Sequence, residues 1–145
     1  MNYETLKNEL LNDPLERGYS TMTDNEVFIS LTTKDRPLRV LVPLWQIKKH
    51  AIENGYWFTL KGTVSEHPGY LAAASAVEYI SDGRFENIDM DLTSTQTMLG
   101  GLVATSLLSQ DFADALNAMA DSLQSRAEEL GLTDLSNGHI TMVRL

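Results

Sequence analysis

Over most of this chain apolar residues recur every three or four positions, the period of a helix that turns one face toward a core. Tyr3, Leu6 and Leu10 form the first such stripe, which stops before Asp13-Pro14. Thr23-Asp24-Asn25-Glu26 is a Ser/Thr-x-x-Glu capping box, in which the two side chains satisfy backbone N–H groups at a helix start. It predicts a short helix from Asp24 to Leu31. The least helical stretch follows: Pro37 biases Arg36 away from helical backbone, and Val40, Leu41 and Val42 favour extended chain. A short β-hairpin within residues 27–42, pairing Val27–Leu31 with this stretch, is the alternative reading there. Pro43 suits a first helical turn, Leu44, Ile47 and Ala51 share a stripe, and Gly55 ends it. The aromatic run "YWFTLKG" reads as a cover over the core between two helices.

The second half continues in the same manner. A small-residue helix is expected from Pro68 to about Ser81, closed by Gly83. Thr93-x-x-Gln96 is a second capping box, and Ser109 caps the pattern that follows. There Phe112, Leu116, Met119, Leu123, Ala127 and Leu130 recur at threes and fours, which predicts one helix of roughly twenty residues. Gly131 supplies the left-handed residue that ends it, with Leu132 folding back onto the last turn and Arg126 one turn from Glu129. The predicted core is Leu6, Leu10, Leu44, Ile47, Ala51, Leu71, Val77, Leu99, Leu102, Val103, Phe112, Leu116, Met119, Leu123 and Leu130. With no internal repeat and no low-complexity linker, the fold class is all-α. Residues 1–145 form a single compact helical domain with at most one short β-hairpin.

Composition narrows the function classes. The 145 residues suit one domain, and 43% hydrophobic content argues against disorder. No apolar run reaches the ~18 residues of a membrane span, and the start "MNYETLKNEL" lacks the pattern of a secretory signal. The absence of cysteine excludes disulfides and thiolate chemistry. A net charge of −9 argues against direct nucleic-acid binding. That charge is unevenly spread: residues 34–61 carry a net of +4, and residues 78–134 a net of −9.

Catalytic candidates are few. His50, His67 and His139 stand apart, without zinc-protease spacing, a serine elbow or a phosphate loop. Gly100-Gly101, in mid-pattern, indicates close approach of a neighbouring helix. Asp82, Glu86, Asp89 and Asp91 place four carboxylates within ten residues, but not at calcium-loop spacing. They read as a solvated acidic connector. No catalytic residue, cofactor or metal is expected.

Three segments then resemble a known group. They are "LKNELLNDPLERGYSTMTDNEVFISLTTKDRP", "RFENIDMDLTSTQTMLGGLVATSLLSQDFADALNAMA" and "SRAEELGLTDLSNGHITMVR". They resemble small tailed-bacteriophage proteins that pair a "DPLxRGYxxMTD" element with "SRAEELGL" and a short V/I-x-x-A/V-R ending. The resemblance covers most of the chain apart from Val40–Ser65. It implies a non-catalytic structural or virion-associated protein of a head, connector or tail, made in the host cytoplasm and carried in the virion. Its partners would be other phage structural proteins, and the subunit would be a homo-oligomer in the particle, with no membrane contact. The alternative is an intracellular phage protein that inhibits a host factor, acting as an acidic DNA mimic. The candidate interaction surface comprises Lys34, Arg36, Arg39, Trp45, Lys48, Lys49 and Trp57, with Asp82, Glu86, Asp89 and Asp91 as its acidic counterpart. Trp45, Tyr56, Trp57 and Phe58 are the candidate aromatic anchors, the competing reading being that they are ordinary core.

Overall fold

A computed structural model describes residues 1–145, and helices dominate it. The chain divides into two compact units, Met1–Leu38 with Ser122–Leu145, and Arg39–Asp121. Each has a core of its own, so the single continuous core expected from the sequence is divided.

The first unit begins with α1 (Tyr3–Asn12), whose N-terminus is capped by the Asn2 side chain. At its end the Asp13 carboxylate accepts the backbone N–H groups of Arg17 and Gly18, both at 2.7 Å. Gly18 has φ +83°, a conformation that favours glycine, and it turns the chain into a short 3-10 turn, Tyr19–Thr21. Thr23 then caps α2 (Asp24–Thr32) by accepting from the Glu26 N–H, so only the threonine half of the expected capping box forms. Val27 and Leu31 are buried on this helix, so the alternative hairpin through residues 27–31 is not formed. The strand β1 (Lys34–Arg39) pairs with β4 (Asp121–Ser125), more than 80 residues away in sequence.

That pairing overturns the twenty-residue helix. The stripe breaks after α7 (Gln110–Ala118) of the second unit, and helix resumes only at α8 (Arg126–Glu129). Ser125 caps α8 with a full capping box to Glu128, a start signal that lay inside the apparent stripe. Gly131 does take φ +74°, and the Leu132 N–H returns to the Ala127 carbonyl at 2.8 Å, leaving Leu132 2% exposed. The chain ends in α9 (Asn137–Arg144), capped by Ser136 and anchored by the buried Ile140. Leu6, Tyr19, Val27, Leu31, Ala127, Leu132 and Ile140 form the first core. Leu123, on β4, is 54% exposed rather than buried. Leu123→Ala is therefore expected to change stability by less than about 0.5 kcal/mol. A loss above 2 kcal/mol in chemical denaturation, roughly what a core leucine costs, would contradict this placement.

The second unit opens with β2 (Val42–Pro43), antiparallel to β3 (Asn87–Ile88) with Val42 opposite Ile88. Next come α3 (Leu44–Glu53) and α4 (Tyr56–Lys61), the latter formed by the aromatic run, then α5 (Tyr70–Ser81) and α6 (Thr93–Ala104). Leu44, Ile47 and Ala51 are buried as predicted, and so are Leu99, Leu102, Phe112 and Leu116. Leu71 is not: it is 79% exposed. The second capping box also fails. Leu92 is the N-cap of α6, and Gln96 donates instead to the Met90 carbonyl and the Asn117 side chain. Gly101 faces Ala72 of α5, but a Cβ there would meet it at an ordinary 3.7 Å, and Gly100 faces open space. Close approach therefore does not require either glycine.

Candidate interaction surface

In the first unit one charged residue, Glu9, is buried. Glu9 lies one turn from Leu6 on the buried side of α1 and is 4% exposed. Arg126, the first residue of α8, holds it bidentately, Nε to Oε1 at 2.9 Å and Nη2 to Oε2 at 2.8 Å. The Tyr19 hydroxyl donates to Oε1 at 3.0 Å. Arg126 also donates to Glu129, which takes Arg36 Nε at 3.1 Å on its other side. Burial pushes the Tyr19 hydroxyl up, and the Glu9 charge pushes it further in the same direction. Burial opposes ionisation of Glu129, but hydrogen bonds from Arg126 and Arg36 outweigh it and hold the carboxyl below the usual range. Every buried polar side-chain atom has a partner.

Because the pKa of Glu129 is lowered in the folded state, its contribution to stability is present above the ordinary carboxylate range and is lost as pH falls below it. The stability gap between wild type and Glu129→Gln is therefore expected to close as pH drops below about 4. Thermal melts of both proteins across that window check this; a gap that widens on acidification would reverse the sign.

The "DPLERGYSTMTD" and "SRAEELGL" segments both contribute to the first unit. Asp13, Arg17, Gly18, Tyr19 and Asp24 come from the first element, and Ser125, Arg126, Glu128, Glu129 and Gly131 from the second. Arg17 ties the Ser30 carbonyl to Asp35, and Asp24 receives Arg144 and Thr141. These residues serve as caps, turns and ion pairs of one small core. No family model, curated protein or solved structure matches this chain.

The candidate surface residues have separate fates. Lys34 pairs with Glu128 at 2.8 Å and Arg36 with Glu129. In the second unit, Arg39 bridges Asp91 and Asp121 and also donates to the Asn117 carbonyl at 2.8 Å. The basic and acidic segments thus neutralise one another in part and do not form two opposed faces. Trp57 is 5% exposed and belongs to the core, and Tyr56 is half-buried against Phe112 with its hydroxyl on Ser109. Sequence reasoning placed both at the surface because aromatic runs carry no burial direction by themselves.

Trp45, Lys48 and Lys49 do lie on one outer face of α3, with Ile52 a turn further on. Trp45 is 64% exposed, and Phe58 on α4 is 69% exposed. In the acidic connector, Asp82 is held below the usual carboxylate range by its hydrogen bonds from Arg84. Asp89 accepts the Asp91 backbone N–H, Asp91 takes Arg39, and Glu86 is exposed. No three His, Asp or Glu side chains are grouped to hold a metal ion, and no helix is long and apolar enough to cross a membrane.

Two features were missed in the sequence. Glu9 sits inside the apolar stripe of α1, a position where an acid needs a buried partner, and that was the available signal. The other is a groove of about 760 Å³ between α5 and α6, lined by Leu71, Ala72, Ser75, Leu92, Thr97 and Met98 among others.

Proposed function

We propose that the protein is a non-catalytic structural subunit of a tailed-bacteriophage particle that works through protein–protein contacts. The supporting observation is how its side chains are used. All six arginines are engaged with carboxylates, while large apolar side chains such as Trp45, Phe58 and Leu71 remain on the surface of the second unit. Exposed large aromatic and aliphatic side chains suit binding to another protein. The resemblance of the "DPLERGYSTMTD" and "SRAEELGL" segments to small phage proteins supplies the setting. Mass spectrometry of purified virions tests it: the subunit is expected at a fixed copy number per particle. Its absence from particles, together with abundance in infected cells, would replace this reading with that of an intracellular inhibitor.

A further inference from the structure

Of the five lysines, Lys34 and Lys49 face carboxylates, Lys49 only at 3.6 Å from Glu53. Lys48 and Lys61 instead stand over the ring of Trp57, at 5.0 and 5.9 Å from its centroid. They bring the outer faces of α3 and α4 together as one cationic patch on a chain of net charge −9. Trp45 projects from this patch at 64% exposure. It stands between two hollows, one running to Ile80 and Asp82 and the other to His50 and Met119.

The groove between α5 and α6 has the opposite character. Its lining is apolar or hydroxylic and contains no charged side chain. Two acids adjoin its lining: Glu78 lies one turn past Ser75 on α5 and Asp89 follows the lining residue Ile88, while Asp91, next to Leu92, is already paired with Arg39. At about 760 Å³ it has room for an indole and neighbouring side chains. It shares no lining residue with either hollow beside Trp45, so one molecule can present its tryptophan and receive another at the same time.

We infer that Trp45 of one copy seats in the α5–α6 groove of a second copy, with Lys48 and Lys49 meeting the acids at the groove's margin. The contact joins two different surfaces, so unless two copies exchange it reciprocally about a two-fold axis it is heterologous and propagates into rings or open chains. The indole buries about 150–250 Å² and supplies the anchor, while the rim charges set register and association rate. A nucleic acid fits this patch less well. Single-strand binding uses a cationic groove along several nucleotides, whereas here three lysines lie on a strongly acidic protein. This inference goes beyond virion membership, and the two can fail separately.

The test uses the full chain and two exposed-site variants, Trp45→Ala and Leu71→Glu, in sedimentation velocity over a range of concentrations. Wild type is expected to form species larger than a dimer as concentration rises, and each variant alone to remain monomeric. Loss of a central aromatic anchor should weaken association by about thirtyfold or more. Trp45→Ala keeps its groove and Leu71→Glu keeps its tryptophan, so an equimolar mixture should yield a heterodimer and nothing larger. Raising salt should weaken association. A wild type that is monomeric at every concentration overturns the inference, as does a mixture without heterodimer or a variant that associates like wild type. A monomeric protein still found in virions would sink this contact while leaving the structural role intact, and its Trp45 face would then belong to a different virion component.

Discussion

Replacing Arg126 by methionine is expected to destabilise the first unit by about 3–5 kcal/mol, because it strands a buried carboxylate. Glu9 is 4% exposed and would keep only the Tyr19 hydroxyl as a donor after losing both guanidinium contacts. Methionine keeps an unbranched apolar stem, so most of the effect comes from the lost charge and hydrogen bonds. The double variant Glu9→Leu/Arg126→Met is expected to recover most of the loss, since removing both ions abolishes the desolvation cost as well as the attraction. Ellipticity at 222 nm in urea titrations is the suitable readout for this unit, because both tryptophans, Trp45 and Trp57, lie in the other one. Single and double variants of equal stability would show that the ion pair itself, and not the stranded charge, dominates.

Phe112→Ala carries the largest expected effect in the second unit, about 3–5 kcal/mol. Phe112 is 6% exposed, lies parallel to the His50 ring at a centroid distance of 5.1 Å, and meets Tyr56 at 4.3 Å. It also lines a small apolar cavity of about 40 Å³ together with Ile47, Leu99 and Leu116. Truncation would enlarge that space, and the loss grows with the volume that neighbours fail to refill. Tryptophan fluorescence reports on this unit directly through Trp57. A loss below about 1 kcal/mol would mean that α3 and α7 close over the gap. Phe112→Leu should cost clearly less than alanine, since it retains most of the apolar volume.

The two units differ in how they use charge. The first unit spends acids and arginines on internal pairing, so its interior is specific but sensitive to single removals. The second unit is held mainly by apolar contacts and leaves Lys48 and Lys61 without a carboxylate partner and Trp45 exposed.

Helix starts and faces were legible wherever the signal was local. Thr23 and Ser109 cap as their spacing indicates, Leu44, Ile47 and Ala51 point inward, and Gly131 with Leu132 closes α8, because capping and amphipathic burial depend on residues within one or two turns. Features that depend on partners distant in sequence were not legible. The β4 segment continues a helical stripe in sequence, yet it is extended because β1, more than 80 residues away, pairs with it. Lys34, Arg36 and Arg39 looked like a free basic run, yet acids at positions 91, 121, 128 and 129 neutralise them. Trp45 and Trp57 look alike in the sequence, and only tertiary packing buries Trp57 and leaves Trp45 exposed. The sequence by itself determined the helical period, most helix ends and the predominantly helical class. The tertiary structure alone decided the division into two cores, the burial of Glu9 against Arg126, and which aromatic and basic groups remain free. Hydrogen-bond partners across a sheet, desolvated ion pairs and surface grooves are properties of pairs of distant segments, and no single segment encodes them.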